Sequence, residues 1–251
     1  MAQHTASVDI RKSRAWAERG RVVLTPVAAP AILGWFCFAA AAFLFGSHLA
    51  GWWGGAEAML YLAPFLGLLG LAQLLAGMWG FRAREPMATV AHGAWGAFWL
   101  AIGFAHLFVA IGWLTAEALM MPFGMALLAM ALVTIGPTIA ATFENVFLTV
   151  LLGAVTLTGI LTSTGMMAEV GWLSTLGGWL FVLTAVLGWY FATAILTAET
   201  TGEVRLPIGR YRMAADVPGE PMPDPVAYNT GFPLAELESF EDTRREPEPA
   251  G

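Results

Sequence analysis

Ionisable side chains are scarce in the apolar stretches of this 251-residue sequence: His92, His106 and Glu144, with His48 near the end of a stretch. Such groups are costly at membrane depth, so they usually face the protein interior and mark candidate sites. His92 and His106 read either as hydrogen-bonded packing residues or as ligands, and His92 is also a candidate proton-linked group. Glu144 reads as an interfacial acid, or as a proton-linked carboxylate at the mouth of a path. Scattered imidazoles and the single cysteine, Cys37, do not make a metal or haem set. No metal and no cofactor is expected. A nucleophile–base pair and a phosphate loop are also missing, which sets enzyme chemistry aside. No Lys or Arg lies inside an apolar run, so an anion at depth would meet no basic clamp.

Small and neutral polar residues have helical spacing. Gly70, Gln73, Gly77 and Gly80 are three or four residues apart, as are His92, Trp95, Gly96 and Trp99; each set shares one face of a helix. Small faces let helices approach closely in lipid, which accounts for the glycines without any ligand. Thr158 and Thr162 share the face of Leu151. Their hydroxyls either satisfy their own backbone or line a narrow polar path. Phe36, Ala40, Phe43 and Ser47 form a stripe behind Pro26 and Pro30. Pro30 marks either an ordinary helix start or a broken one whose free N–H groups face a carboxylate.

These positions must be held by membrane helices. The chain is 58% hydrophobic and 12% charged, with a mean hydropathy of +0.68, far from the balance of a soluble domain. Runs long enough to span a bilayer core lie at Ala28–Leu49, Ala58–Phe81, Thr89–Leu114, Pro122–Thr142, Val146–Thr164 and Gly171–Thr197. The expectation is an all-α polytopic membrane protein with six transmembrane helices. Residues 1–25 read as a polar N-terminal segment, not a cleaved signal peptide, and 26–212 as the membrane domain.

The twelve bases lie before the first run, between the second and third, and after the sixth. The positive-inside bias then puts both termini in the cytoplasm, and the expected location is the inner (plasma) membrane. Residues 213–251 carry nine acids, two bases and seven of the fourteen prolines. That segment reads as a disordered acidic cytoplasmic tail. It accounts for the net charge of −6, leaves the membrane body nearly neutral, and speaks against a nucleic-acid partner. The partners implied are the lipid bilayer and a small solute.

Three places in the chain resemble the acetate uptake transporter family, the YaaH-type acetate/succinate–proton symporters. A-Q-L-L-A-G at Ala72–Gly77, followed by W-G-A-F-W at Trp95–Trp99, is similar to the family's A-Q-x-x-A-G and S-Y-G-x-F-W pair. L-P-I-G at Leu206–Gly209, with Glu199 and Gly202 before it, is similar to its C-terminal signature. V-A-A-P-A-I-L-G-W-F at Val27–Phe36 is a degraded form of its N-P-A-P-L-G-L motif. The resemblance spans about residues 25–210. It implies a six-helix protomer in a ring-shaped homohexamer, with a carboxylate path through each protomer. It also implies a constriction at Phe36, Trp95 and Leu151, lined by Gln73, Thr158 and Thr162.

The departures from the pattern have physical consequences. Val27 and Ala28 stand where the motif has Asn-Pro, removing an amide that could orient a carboxylate. Trp95 exchanges a tyrosine hydroxyl for a bulkier ring with an N–H donor. Gly80 replaces a Glu, and Glu85–Pro86 replace Asn-Thr. Two functions follow. One is a transporter or channel for small carboxylates (acetate, with propionate or succinate), proton-linked through groups such as Glu144 or His92. The alternative is a non-transporting membrane subunit or scaffold that docks a partner through its acidic tail.

Overall fold

The computed structural model describes residues 28–55 and 57–209; the expected N-terminal segment 1–25 and acidic tail 213–251 lie outside them. The described residues form six helices: α1 Pro30–Leu49, α2 Ala58–Ala83, α3 Pro86–Ala110, α4 Ala116–Ala141, α5 Val146–Met167 and α6 Gly171–Thr201. Each is long and apolar enough to cross a membrane. The fold is all-α.

In α3 and α4 the boundaries differ from those expected of the apolar runs, and local chemistry explains them. α3 starts at Pro86, the first helical position, where a missing N–H costs nothing. It stops at Ala110 because Gly112 takes φ +78° and the Trp113 N–H turns back to the Phe108 carbonyl at 2.9 Å. Hydrophobicity continues past that point, but the backbone does not. α4 starts six residues before Pro122, because Thr115 Oγ1 accepts the Ala118 N–H at 3.1 Å, a side-chain N-cap. Pro122 and Pro137 are thus inside α4.

The helices close into a ring. Each packs on its neighbour in sequence, and α6 closes on α1, with α1 also touching α3. Glycines set the closest approaches. A Cβ on Gly70, Gly77 or Gly96 would strike the backbone of Leu100, Gly93 or Leu74, which locks α2 against α3. Gly46 and Gly178 do the same between α1 and α6. No hydrophobic drive separates such faces from lipid, so close van der Waals contact holds them.

The ring is filled by aromatic side chains from facing helices, including Trp35, Phe38 and Phe45 of α1, Trp95, Phe98 and Trp99 of α3, Phe123 of α4 and Phe181 of α6. Rings meet edge to face or tilted, at centroid distances such as 5.5 Å for Phe38–Trp95 and 5.4 Å for Phe45–Phe181. Those geometries match the ring quadrupoles.

The L-P-I-G segment has a definite structural role. The Val146 and Phe147 N–H groups, at the start of α5, donate to the Gly209 and Ile208 carbonyls at 2.6 and 3.0 Å. Asn145 Oδ1 takes the Leu148 N–H at 2.8 Å, and Tyr190 donates its hydroxyl proton to the Pro207 carbonyl at 2.9 Å. The segment after α6 therefore satisfies donors that α5 would otherwise leave open.

Candidate functional site

A small cavity of about 10 Å³ lies within the ring, walled by Trp35 and Phe38 of α1, Gln73 of α2, His92 and Trp95 of α3, and Leu152 and Val155 of α5. That volume is close to one water. A larger hollow of about 250 Å³, between Ile135, Thr138, Gly153 and Leu157, is more open and almost wholly apolar.

Trp95 is the central wall. Its ring packs on Phe38, Phe98 and Trp99 at 5.5, 5.3 and 5.8 Å. Its Nε1–H donates to Thr134 Oγ1 on α4 at 3.0 Å, and that hydroxyl donates to the Met130 carbonyl at 2.7 Å. The indole is thus tied to the neighbouring helix α4. Gln73 and His92 meet on the next wall, with Gln73 Nε2 and His92 Nδ1 3.4 Å apart. Both side chains are 1% exposed. The imidazole sits in the notch of Gly34, where a Cβ would overlap it, and against Trp35 at 5.0 Å edge to face. Among the described residues, four buried side-chain polar atoms have no hydrogen-bond partner: Gln73 Oε1, His92 Nε2, Trp99 Nε1 and Thr162 Oγ1.

Of the residues singled out from the sequence, the structure brings Gln73, His92 and Trp95 together around one cavity. It places the others elsewhere. Phe36 is half-buried and packs on the outside of the core cluster, while Trp35 and Phe38 point inward on the neighbouring face of the same helix. Leu151 is fully buried, but Leu152 and Val155 form the α5 wall. Thr158 and Thr162 are buried on α5 away from the cavity lining, Thr162 against Gly177 of α6. Pro30 is an ordinary first-turn proline.

Glu144 lies between α4 and α5 at the end of the bundle that also holds Glu85, the start of α1 and the last turn of α6. Partial burial raises its carboxyl above the usual carboxylate range. Glu85 is raised too, by burial first, then by Glu199 and more weakly by Glu144, while the Ala31 backbone N–H pulls the other way. Among the described residues no group of three His, Cys, Asp or Glu is placed to hold a metal.

Trp35, Phe38, Leu152 and Val155 are what sequence reasoning missed. Trp35 and Phe38 are three residues apart and share a face, a spacing that was visible. α1 is apolar on every side, however, so nothing in its pattern tells the inward face from the lipid-facing one.

A model of the GPR1/FUN34/yaaH family matches residues 19–210, more than half of the chain. The chain belongs to that family. The resemblance read from the A-Q-L-L-A-G, W-G-A-F-W and L-P-I-G motifs is the same assignment. Among solved structures, the fold is similar to one titled as the bacterial acetate channel SatP, with a TM-score of 0.66 and 22% identity over 73% of this chain and 100% of that one. No curated protein matches the chain at a significant level. Membership and the six long apolar helices make it a multi-pass membrane protein.

Proposed function

We propose that this chain passes small carboxylates across a membrane, with acetate as the type substrate and propionate or succinate in the same class, and with proton linkage. The observation that carries this reading is a small aromatic-walled cavity inside the ring of six helices, lined also by Gln73 and His92. Family membership and the likeness to an acetate channel support it.

The physics is that of a throat. No guanidinium or ammonium lines the cavity, so a bare anion would leave water without a compensating charge. Moving an ionised carboxylate into an apolar environment is far costlier than moving a neutral polar group. A closed aromatic wall with a few hydrogen-bonding groups therefore favours a small acid that travels with its proton. Trp35, Phe38, Trp95, Leu152 and Val155 set the width. Gln73 and His92 supply the polar contact. A ring of identical protomers in the inner (plasma) membrane, one path in each and both termini cytoplasmic, belongs to the same proposal.

The test is uptake of labelled acetate into proteoliposomes carrying the full chain. Flux above empty vesicles that rises as external pH falls is the expected result. No flux above empty vesicles for acetate, propionate or succinate would sink the reading and leave a non-transporting scaffold.

A further inference from the structure

We propose that Gln73 and His92 together form a recognition point for the neutral carboxyl group of a protonated acid, presenting it one hydrogen-bond donor and one acceptor. This rests on the transport reading above and names the species that the constriction takes.

The argument is a count of donors and acceptors. Gln73 and His92 are in contact, Nε2 to Nδ1 at 3.4 Å, and each keeps one buried polar atom without a partner, Gln73 Oε1 and His92 Nε2. Suppose that the Gln73 amide N–H donates to Nδ1. The neutral imidazole then carries its proton on Nε2, leaving an N–H donor on His92 and a carbonyl acceptor on Gln73. Suppose instead that the amide is turned over, so that its oxygen accepts Nδ1–H. The free groups are then the amide NH2 on Gln73 and the Nε2 lone pair on His92. In either arrangement, of the two unpartnered atoms one donates and one accepts, and the amide keeps a second N–H besides, so the presence of both a donor and an acceptor does not depend on amide orientation or tautomer.

A carboxylic acid carries the complementary pair, a carbonyl acceptor and an O–H donor. A carboxylate carries acceptors only, and would leave the protein's acceptor facing an anion with no proton between them. An unmade hydrogen bond in a dry site is expensive, so the mismatch discriminates.

The surroundings keep the count simple. The cavity receives Trp35 and Phe38 from α1, Trp95 from α3, and Leu152 and Val155 from α5. Thr134 of α4 is engaged by Trp95, and Phe191 of α6 packs on Trp35. His92 is the only titratable side chain among these residues. The imidazole is held by the Gly34 notch and the Trp35 edge, so its free nitrogen is oriented before any solute arrives. The cavity, at about 10 Å³, has room for one water-sized group. Passage of an acid therefore also requires the aromatic walls to yield.

Acetamide tests this, because it has the size of acetic acid, stays uncharged at every pH used, and carries both a carbonyl acceptor and N–H donors. Fluxes of labelled acetate and acetamide are measured into proteoliposomes of the full chain between mildly acidic and neutral pH. The expected result is acetate flux falling roughly tenfold per pH unit, in step with the protonated acid, and acetamide flux above empty vesicles that does not change with pH. Gln73→Met and His92→Phe should each lower both fluxes by about tenfold, the worth of one buried hydrogen bond. His92→Gln, which restores a donor and an acceptor, should recover most of the loss, showing that the missing hydrogen bond lowered the flux; no recovery in a folded His92→Gln protein would count against the recognition point.

Acetate flux with acetamide excluded, or acetate flux that follows the anion, would overturn the recognition point and leave transport standing. Unchanged fluxes in both variants would do the same, reducing the pair to a packing contact around a buried water. No acetate flux at all overturns transport itself, and the recognition point with it.

Discussion

Trp95 does two separable jobs. Its ring walls the cavity beside Phe38, and its N–H binds α3 to Thr134 of α4. Trp95→Phe keeps most of the ring and removes the bond. The Thr134 hydroxyl already donates to the Met130 carbonyl, so it loses only an incoming donor. The expected cost is about 0.5–1 kcal/mol, in line with polar contacts between membrane helices, read as a small fall in melting temperature in detergent. Trp95→Ala removes the wall itself. It should raise acetate flux several-fold and admit longer acids such as butyrate, which proteoliposome uptake would show; an unchanged size cut-off would mean that the narrowest point lies elsewhere. Trp95 and the helix-3 face carrying His92 were legible from spacing and motif. Trp35 and Phe38 were not, because a helix apolar all round carries no mark of its inward side.

At the scale of elements, glycines decide where helices can lie. Gly77 meets the backbone of Gly93 with no room for a Cβ. Gly77→Val must push α2 and α3 apart and cost at least about 2 kcal/mol as overpacking; the check is loss of a monodisperse peak on size exclusion, or early melting. Substitution at Gly67 makes a control on the same helix, since a Cβ there would meet nothing. The start of α5 depends on Asn145 Oδ1 and on the Ile208 and Gly209 carbonyls. Asn145→Ala should cost about 1 kcal/mol through the lost cap. The L-P-I-G motif was readable as a family mark, but its role as a cap for a helix some sixty residues earlier was not: hydrogen bonds to carbonyls depend on where the backbone returns, and carry no side-chain signature.

For the whole molecule, pH acts through Glu85 at the end of the bundle where α1 begins. Its carboxyl lies above the usual range, by burial first and then by Glu199. A raised acid binds more protons folded than unfolded, so its contribution to stability falls as pH rises from the ordinary glutamate range through the raised value. Glu85→Gln should therefore stabilise the protein at neutral pH and make little difference well below that window. The group is half-exposed, so the gain is expected to be only about 0.5 kcal/mol after solvent screening. Melting curves at both pH values would show it; equal melting of the two proteins at neutral pH would contradict it. Removal of residues 213–251 takes away nine acids and two bases and none of the cavity. Acetate flux in that truncated chain should match the full chain, whereas a scaffold would lose its partner instead.

Composition and hydrophobic length were enough to determine an all-α membrane protein of six helices, because a bilayer imposes one length and one way of satisfying the backbone on any spanning segment. Motif order was enough to point to the family. The tertiary structure alone decided which faces look inward: that Trp35 and Phe38, and not Phe36, wall the cavity, that Leu152 stands where Leu151 was expected, and that Gln73 and His92 meet there. Lipid is as apolar as a protein core, so a membrane helix does not record in its sequence which of its apolar sides will be buried. That is settled only when glycine notches fix how the helices turn toward one another.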